Sequence, residues 1–149
     1  MLIFKEISIN DEFLKEASNL IQEHSWGLDY PVSALDELKE SDFIIGCFNN
    51  GKLVGLASIN NFASPDKIDN GLPWLAAAVV LPEYRGRGIY KDLYEKRIEH
   101  LKHKKEKIIL SCTDNKIVKK FLLDRGWKLR RITKDESGGE CEVFEKNLI

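Results

Sequence analysis

A glycine- and arginine-rich loop at 85–88 carries the strongest chemical signal in the sequence. Gly86 and Gly88 lack a Cβ, so the backbone N–H groups around them can point into a common space. The loop opens a predicted helix, and a helix N-terminus favours an anion through its dipole. Arg85 and Arg87 add positive charge at the same place. These residue types in this order suit a phosphate or a pyrophosphate.

Two common nucleotide-binding motifs do not account for this loop. The P-loop pattern GxxxxGKS/T is absent, and the dinucleotide fingerprint GxGxxG is incomplete. The alternative interpretation of the same residues is a tight turn with a solvated helix cap.

Apolar periodicity predicts the elements that position the loop. The continuous apolar run 74–81 is typical of a central strand that is buried on both faces. After the loop, apolar residues at helical spacing predict a long helix that ends near Lys107. Further strands are predicted at 2–8, 42–48, 53–59, 107–112, 127–133 and 140–149.

Turn and cap signals bound the remaining elements. The Asn-Gly pair within 49–52, between two apolar runs, predicts a hairpin. Three more helices are expected: one capped by Asp11, one opened by Pro31 and Ser33, and one that begins at Asp114 or Asn115 and ends at Gly126.

The predicted order of elements is β-α-α-β-β-β-α-β-α-β-β. This order indicates an α/β fold with a central, mixed, mostly antiparallel sheet flanked by helices. The 149 residues contain no internal repeat and no Pro/Gly/Ser-rich linker, so a single domain over 1–149 is expected.

Composition excludes several classes of protein. The chain has 23 basic and 24 acidic side chains and a net charge of −1, which argues against nucleic acid as a partner. The basic run 102–107 is better explained as the solvated C-terminal end of a helix. No apolar run approaches the roughly 20 residues of a membrane span, and the N-terminal sequence lacks an export signal. A cytoplasmic protein without membrane contact is therefore expected.

The cysteines and histidines carry no metal pattern. Cys47, Cys112 and Cys141 are widely spaced and form no CxxC pair, so three reduced and mostly buried thiols are expected. His24, His100 and His103 show no ligand spacing with them, so no metal is expected.

Two segments together resemble the GNAT family of N-acetyltransferases. The family's loop pattern Q/R-x-x-G-x-G/A matches Arg85 to Tyr90, preceded by the typical Leu-Pro-Glu-Tyr at 81–84. The second hallmark is an asparagine that opens a helix closed by a glycine-aromatic pair, here Asn115 and 126–127. The resemblance covers nearly the whole chain and is strongest over 74–127.

The resemblance implies acetyl-CoA as co-substrate. The amides at 86–90 would hold the pyrophosphate, and the backbone of 78–80 would pair with the pantetheine arm. An amide near Val80 could polarise the thioester carbonyl. Asn115 would bond to the pantetheine, although it also suits a plain helix cap. The implied cofactor-binding set is Ala78, Val79, Val80, Arg85, Gly86, Arg87, Gly88, Ile89, Tyr90 and Asn115, with Arg85, Lys91, Lys116 or Lys119 for the 3′-phosphate.

The sequence departs from the family pattern at two positions. Tyr90 replaces the last small residue of the loop, which leaves its amide available but requires space for the ring. Leu122 occupies the position four residues before Gly126, where the family commonly has a tyrosine that protonates the leaving thiolate. General acid assistance is typically worth ~10²–10⁴-fold. Cys112, Ser111 and Tyr84 are the candidates for a substitute donor.

The general base is also not given by the pattern. The strand at 74–81 contains no acid, although some family members have a carboxylate there. Asp66, Asp69, Asp29 and His24 lie in loops that the family fold would place near the acceptor, although each is better explained as a solvated loop residue. The resemblance would line the acceptor cleft with 24–31, 60–73 and 134–140, where Asp135, Glu136 and Glu140 could attract a cationic amine.

Two functions from different classes follow. The first is an enzyme that moves an acetyl group from acetyl-CoA to a primary amine by direct transfer in a ternary complex. The acceptor would be a small-molecule or protein amine. The alternative is a non-catalytic acyl-CoA sensor or interaction module, which Leu122 and the acid-free strand favour. Exposed sheet edges at the closing hairpin also suit a homodimer.

Overall fold

The computed structural model describes all 149 residues. Seven strands are formed: β1 (Leu2–Glu6), β2 (Phe43–Asn49), β3 (Lys52–Asn60), β4 (Trp74–Val80), β5 (Ile108–Thr113), β6 (Lys128–Lys134) and β7 (Glu140–Asn147). Four α-helices accompany them: α1 (Leu14–Ile21), α2 (Ala34–Lys39), α3 (Ile89–His103) and α4 (Lys116–Asp124).

The strands are hydrogen-bonded in the order β1-β2-β3-β4-β5-β7-β6. β4 and β5 run parallel and are in register at Trp74 and Leu110. The pairs β1–β2, β2–β3, β5–β7 and β6–β7 are antiparallel. The predicted α/β fold with a mixed, mostly antiparallel sheet is therefore confirmed.

The chain divides into two compact units. The first unit comprises 1–60 and 76–100, and the second comprises 61–75 and 101–149. The prediction of one domain over 1–149 stays a prediction.

Local signals account for the hairpin and helix starts of the first unit. Asn50 and Gly51 have φ values of 51° and 84°, which a type I′ turn requires at both positions, so the predicted β2–β3 hairpin is confirmed. Ser33 Oγ caps α2 by accepting a hydrogen bond from Asp36 N at 3.2 Å. The prediction that Asp11 caps the first helix is wrong: α1 begins at Leu14 with Phe13 at its N-cap position, and Asp11 Oδ1 instead accepts a hydrogen bond from Phe13 N at 2.9 Å in the turn before the helix. The core of the first unit is built from apolar side chains of β2, β3, α1 and α2, including Leu14, Ile21, Leu38, Ile44, Leu53 and Leu56.

A π-helical turn, Gln22–Trp26, continues α1 and ends at Gly27, whose φ is 93°. The sequence pattern indicated only a break there. Gln22 holds the turn with both ends of its amide: Nε2 donates to Gly27 O at 3.0 Å, and Oε1 accepts from Ala34 N at 3.2 Å. The turn therefore places His24 on a segment that is tied to the start of α2.

Helix α3 is attached to β3 by a buried arginine. Arg97 is only 1% exposed and donates to Ser58 O at 3.2 Å and to Leu93 O at 3.4 Å. Burial lowers the pKa of its guanidinium to about 10. The helix ends at His103, four residues before the predicted end, and Lys105 then adopts a φ of 63°.

An ion-pair network in the second unit holds the loop 61–73 against β6. Arg131 donates from Nη2 to Asp66 Oδ1 at 2.7 Å and from Nε to Asp66 Oδ2 at 2.8 Å, and it also contacts Asp69. Arg130 donates to both oxygens of Asp69, at 3.1 and 3.2 Å, and to Glu145 at 3.2 Å. Bidentate arginine–carboxylate pairs of this kind fix geometry as well as charge.

The network changes the interpretation of both aspartates. Hydrogen bonds from Arg131 hold the pKa of Asp66 well below its usual range. For Asp69, burial alone would raise the pKa, but hydrogen bonds from Arg131 and Arg130 outweigh it and lower the pKa. The expectation that Asp66 and Asp69 are solvated loop residues is therefore wrong, because both carboxylates are largely covered and paired.

Replacement of Arg131 by Met should destabilise the protein by about 3 kcal/mol, because Asp66 is left with a covered and unpaired charge. Lys120→Met is the matched control. It removes an exposed pair with Asp124 at 3.0 Å and should cost less than about 0.5 kcal/mol. Urea unfolding at neutral pH measures both. Equal losses in the two variants would show that the network contributes no more than a surface pair.

The same network predicts that the difference in unfolding free energy between wild type and Arg131→Met depends on pH in the acid range. In the folded wild type the pKa of Asp66 and that of Asp69 are lowered, while an unfolded aspartate titrates near about 3.9. The unfolded chain therefore binds more protons in this window, and the stabilisation is lost as pH falls below about 4. The gap in unfolding free energy between the two proteins should be full at pH 6 and smaller at pH 3. A gap that is the same at both pH values would contradict this account.

Candidate functional site

The site in the first unit is built where β4 passes into α3. The strand ends at Val80, a 3₁₀ turn spans Pro82–Tyr84, and α3 begins at Ile89. Gly86 and Gly88 between them have φ values of 79° and 80°, in the left-handed region that side-chain-bearing residues disfavour. A Cβ built at either glycine would meet no atom within 4 Å. The backbone conformation therefore requires glycine there, and the space above both is open to a ligand.

The loop is braced on the side of the 3₁₀ turn. Tyr84 Oη accepts a hydrogen bond from Asn49 Nδ2 at 2.9 Å. The Arg87 guanidinium lies 4.9 Å from the centroid of the Tyr84 ring and donates to Glu83 O at 3.2 Å. Tyr84, a sequence candidate for the acid, thus has a structural role in positioning the loop. Its catalytic role stays a prediction.

Close packing fixes the strand behind the loop. A Cβ on Gly55 of β3 would lie 3.1 Å from Val79 O and 3.4 Å from Ile89 Cγ2. A larger residue at position 55 would therefore press on the backbone of β4, whereas its contact with Ile89 would be an ordinary one. The close packing at Gly55 was not predicted, although a glycine inside an apolar strand is itself a signal of close backbone approach.

The loop has the chemistry of an anion site. The first amides of α3 have no partner within the helix, and the positive end of the dipole lies there. Arg85 bends back, and its Nε donates to Val80 O at 3.0 Å, which fixes one positive charge beside the end of β4. Open space, helix amides and two arginines together fit a phosphorylated ligand.

A cavity of about 220 Å³ adjoins the loop within the same unit. It is lined by His24, Ser25, Ala78, Val79, Val80, Arg85 and Tyr90. The structure thus brings together five residues of the predicted cofactor set and His24, a predicted base. Ala76, Ala77 and Ala78 are partly exposed, so the expectation that β4 is buried on both faces along its length is wrong at these positions.

Tyr90 is accommodated on the wall of this cavity. Its side chain is partly buried and lines the same space as the ends of β4 and the π-helical turn. The departure from a small residue at the last loop position therefore shapes the cavity without filling the loop itself.

His24 reaches the cavity from the π-helical turn. Its side chain is 30% exposed, and its Nε2 lies 3.7 Å from Glu23 Oε2. Ser25 follows it on the cavity wall and was not selected from the sequence, because a single serine in a turn has no pattern that marks it.

In the second unit, Asn115 caps α4. Its Oδ1 accepts hydrogen bonds from Ile117 N at 2.8 Å and from Val118 N at 3.2 Å, which confirms Asn115 rather than Asp114 as the cap. Its role in cofactor binding stays a prediction. Lys119 pairs with Glu142 at 2.9 Å.

Leu122 is 1% exposed and presents only hydrocarbon. Cys112 packs against the apolar cluster of Trp74, Leu110 and Val143, as expected for a packing residue. Burial raises the pKa of its thiol to about 11, and burial together with the charge of Asp92 raises the pKa of Cys47 to about 11. Both thiols are therefore protonated at neutral pH.

The cysteines and the possible metal ligands were also considered in the sequence. All three cysteines are free thiols, and no group of three or more His, Cys, Asp or Glu side chains could hold a metal ion. None of the helices has both the length and the apolar character of a membrane span.

In the 134–140 tip, Asp135 Oδ1 accepts hydrogen bonds from Ser137 N and Gly139 N at 2.9 Å, so this carboxylate stabilises the turn to which it belongs. The Ser137 hydroxyl and those amides lower its pKa.

Comparisons with known proteins agree with this geometry. The model of the acetyltransferase (GNAT) family matches residues 9–127. No curated protein matches the sequence. One similar solved structure is the ribosomal-protein-S18-alanine N-acetyltransferase from Escherichia coli, with 15% identity, a TM-score of 0.76, and coverage of 99% of this chain and 94% of that chain. A second is an aminoglycoside 6′-N-acetyltransferase complexed with coenzyme A, with 15% identity, a TM-score of 0.76, and coverage of 99% of this chain and 97% of that chain. A third is the aminoglycoside 6′-N-acetyltransferase from Enterococcus faecium, with 16% identity, a TM-score of 0.75, and coverage of 99% of this chain and 97% of that chain. At these identities the structures show that the fold is shared.

Proposed function

Because the chain belongs to the acetyltransferase (GNAT) family, we propose that it transfers an acetyl group from acetyl-CoA to a primary amine. The observation that carries the proposal is the loop with two left-handed glycines, which opens α3 beside a cavity along the end of β4. The amides at 86–90 bind the pyrophosphate, and the backbone of Ala78 to Val80 faces the pantetheine arm. A solved relative of the same fold that carries coenzyme A supports this choice of co-substrate.

The 3′-phosphate of the coenzyme takes a cation that is not already held by another contact. Of the four candidates, Arg85 is held by Val80 O and Lys119 is paired with Glu142. Lys91 is exposed and belongs to the same unit as the loop, which favours it for this contact, and the role of Lys116 stays a prediction.

The side chains favour direct transfer over a covalent cysteine intermediate. Such an intermediate requires a thiolate, and burial keeps Cys47 and Cys112 protonated at neutral pH. In direct transfer the amine nitrogen attacks the thioester carbonyl carbon, and the carbon–sulfur bond breaks. An amide near Val80 polarises that carbonyl. The leaving thiol has a reference pKa of about 8.5, so the step proceeds without a tyrosine at Leu122, at a lower rate.

The proposed acceptor is a primary amine, of a small molecule or of a protein. The similar structures include enzymes named for aminoglycosides and for a ribosomal-protein alanine, so both classes belong in the test panel. At the 134–140 tip, Glu136 and Glu140 are exposed and suit attraction of a cation, whereas Asp135 is used within its own turn.

A second candidate function is a non-catalytic acyl-CoA sensor, which buried Leu122 favours because it offers no proton donor. Two measurements separate the candidates: isothermal titration with acetyl-CoA, and release of free thiol over a panel of amines. Thiol release with any amine supports the enzyme. Tight binding without release on every amine supports the sensor, and absence of binding contradicts both.

Gly88→Asp should weaken coenzyme A binding by more than about 100-fold, or roughly 2.7 kcal/mol, because a carboxylate enters the space proposed for the pyrophosphate. Gly51→Asp is the matched control, since Gly51 has a similar φ of 84° and similarly open surroundings in the β2–β3 turn. Both variants carry a backbone penalty of about 1 kcal/mol. Isothermal titration should show the loss only in Gly88→Asp. Equal affinities in the two variants would contradict the assigned pyrophosphate site.

Leu122→Tyr should raise kcat by about 10-fold relative to Leu122→Phe, because only the tyrosine supplies a proton donor to the departing thiolate. The buried position penalises both larger rings by overpacking, and the phenylalanine variant cancels that cost in the comparison. Thiol release at saturating acetyl-CoA measures the ratio. Equal kcat values would show that loss of a thiolate limits the rate less than another step.

A further inference from the structure

We infer that His24 is the general base that removes the proton from the acceptor ammonium, an inference that rests on the proposed acetyl transfer. His24 and the backbone of Ala78 to Val80 line one cavity of about 220 Å³. If the thioester lies along that strand, the imidazole faces the space in which the acceptor nitrogen must approach it. No acidic residue lines this cavity.

The backbone that carries His24 is held in place by the π-helical turn. Gln22, two residues earlier, bonds to Gly27 O and to Ala34 N. Trp26, two residues later, packs against the core of the first unit and contacts the Tyr30 ring at 5.3 Å between centroids. The backbone is therefore anchored two residues before and two residues after His24, and proton transfer requires a base that is carried on such a fixed segment.

The other sequence candidates are poorer bases. Asp66 and Asp69 are bound by Arg131 and Arg130, so protonation would break those ion pairs. Asp29 is exposed in the loop after the π-helical turn and does not line the cavity.

One carboxylate lies beside the His24 imidazole. Histidine is the residue type that changes charge closest to neutral pH. Glu23 Oε2, 3.7 Å from Nε2, provides an ion-pair partner when the ring is charged. From the facing elements, Arg85 and Tyr90 are the titratable groups that share the cavity.

The step balances in protons and electrons. Neutral His24 takes one proton from the acceptor ammonium and becomes an imidazolium. The nitrogen lone pair forms the new carbon–nitrogen bond, and the carbon–sulfur bond breaks with its electron pair on sulfur. The second proton of the nitrogen passes to the thiolate through water, which yields an amide and coenzyme A.

The test compares His24→Gln with His103→Gln, which changes an exposed histidine at the end of α3. The amine panel contains an alkylamine, a polyamine, an aminoglycoside and a peptide with N-terminal alanine. For the amine with the highest wild-type rate, His24→Gln should lower kcat by ~10²-fold, leave the Kd for coenzyme A unchanged, and remove the limb of the kcat profile on which activity rises with pH. His103→Gln should match the wild type. Added imidazole should restore part of the activity of His24→Ala.

The outcomes separate this role from the proposed function. If the wild type turns over an amine while His24→Gln keeps the wild-type kcat and pH profile, the role of His24 is overturned and acetyl transfer stands. If His24→Gln loses activity together with coenzyme A affinity, and imidazole restores nothing in His24→Ala, His24 is a structural residue and the inference fails. If the wild type releases no thiol with any amine, acetyl transfer fails and the inference fails with it.

Discussion

The left-handed backbone at Gly86 and Gly88 is the constraint on which the rest of the site depends. It directs the first amides of α3 into open space, where an anion can replace the hydrogen bonds that the helix cannot supply. Contacts on two sides hold the loop and the helix that follows it. Tyr84 braces it through Asn49, and buried Arg97 ties α3 to β3. The first unit thus holds the loop and the start of α3 in place.

Electrostatics in the second unit have a different purpose. The charged side chains of Asp66, Asp69, Arg130 and Arg131 form ion pairs with one another. These pairs hold the loop 61–73 on β6. They are therefore poor candidates for chemistry, although aspartates in a loop are attractive candidates in a sequence. The net charge of −1 shows neither the two arginines of the 85–88 loop nor the ion pairs of the second unit, because it is a sum over the whole chain.

The sequence predicted best what depends on neighbouring residues. The Asn50-Gly51 turn, the Ser33 and Asn115 caps and the two loop glycines each carry a local signal. The Asp66–Arg131 pair does not, because its partners lie 65 residues apart and charged residues are ordinarily solvated. The burial of Arg97 was not predicted, although its spacing of four residues from Leu93 and from Leu101 places it on the buried stripe of α3. The π-helical turn that carries His24 depends on Gln22, whose bonding to Ala34 spans 12 residues.

The most direct measurement of the central claim is a two-ligand titration followed by amide chemical shifts in a ¹H–¹⁵N NMR spectrum. Coenzyme A should shift the backbone amides of residues 86–90 together with those along the end of β4. Acetyl-pantetheine, which has the thioester but lacks the pyrophosphate, should shift only the amides near 78–80. Saturating coenzyme A that leaves the amides of Gly86 and Gly88 unmoved would contradict the account, as would acetyl-pantetheine that moves them equally.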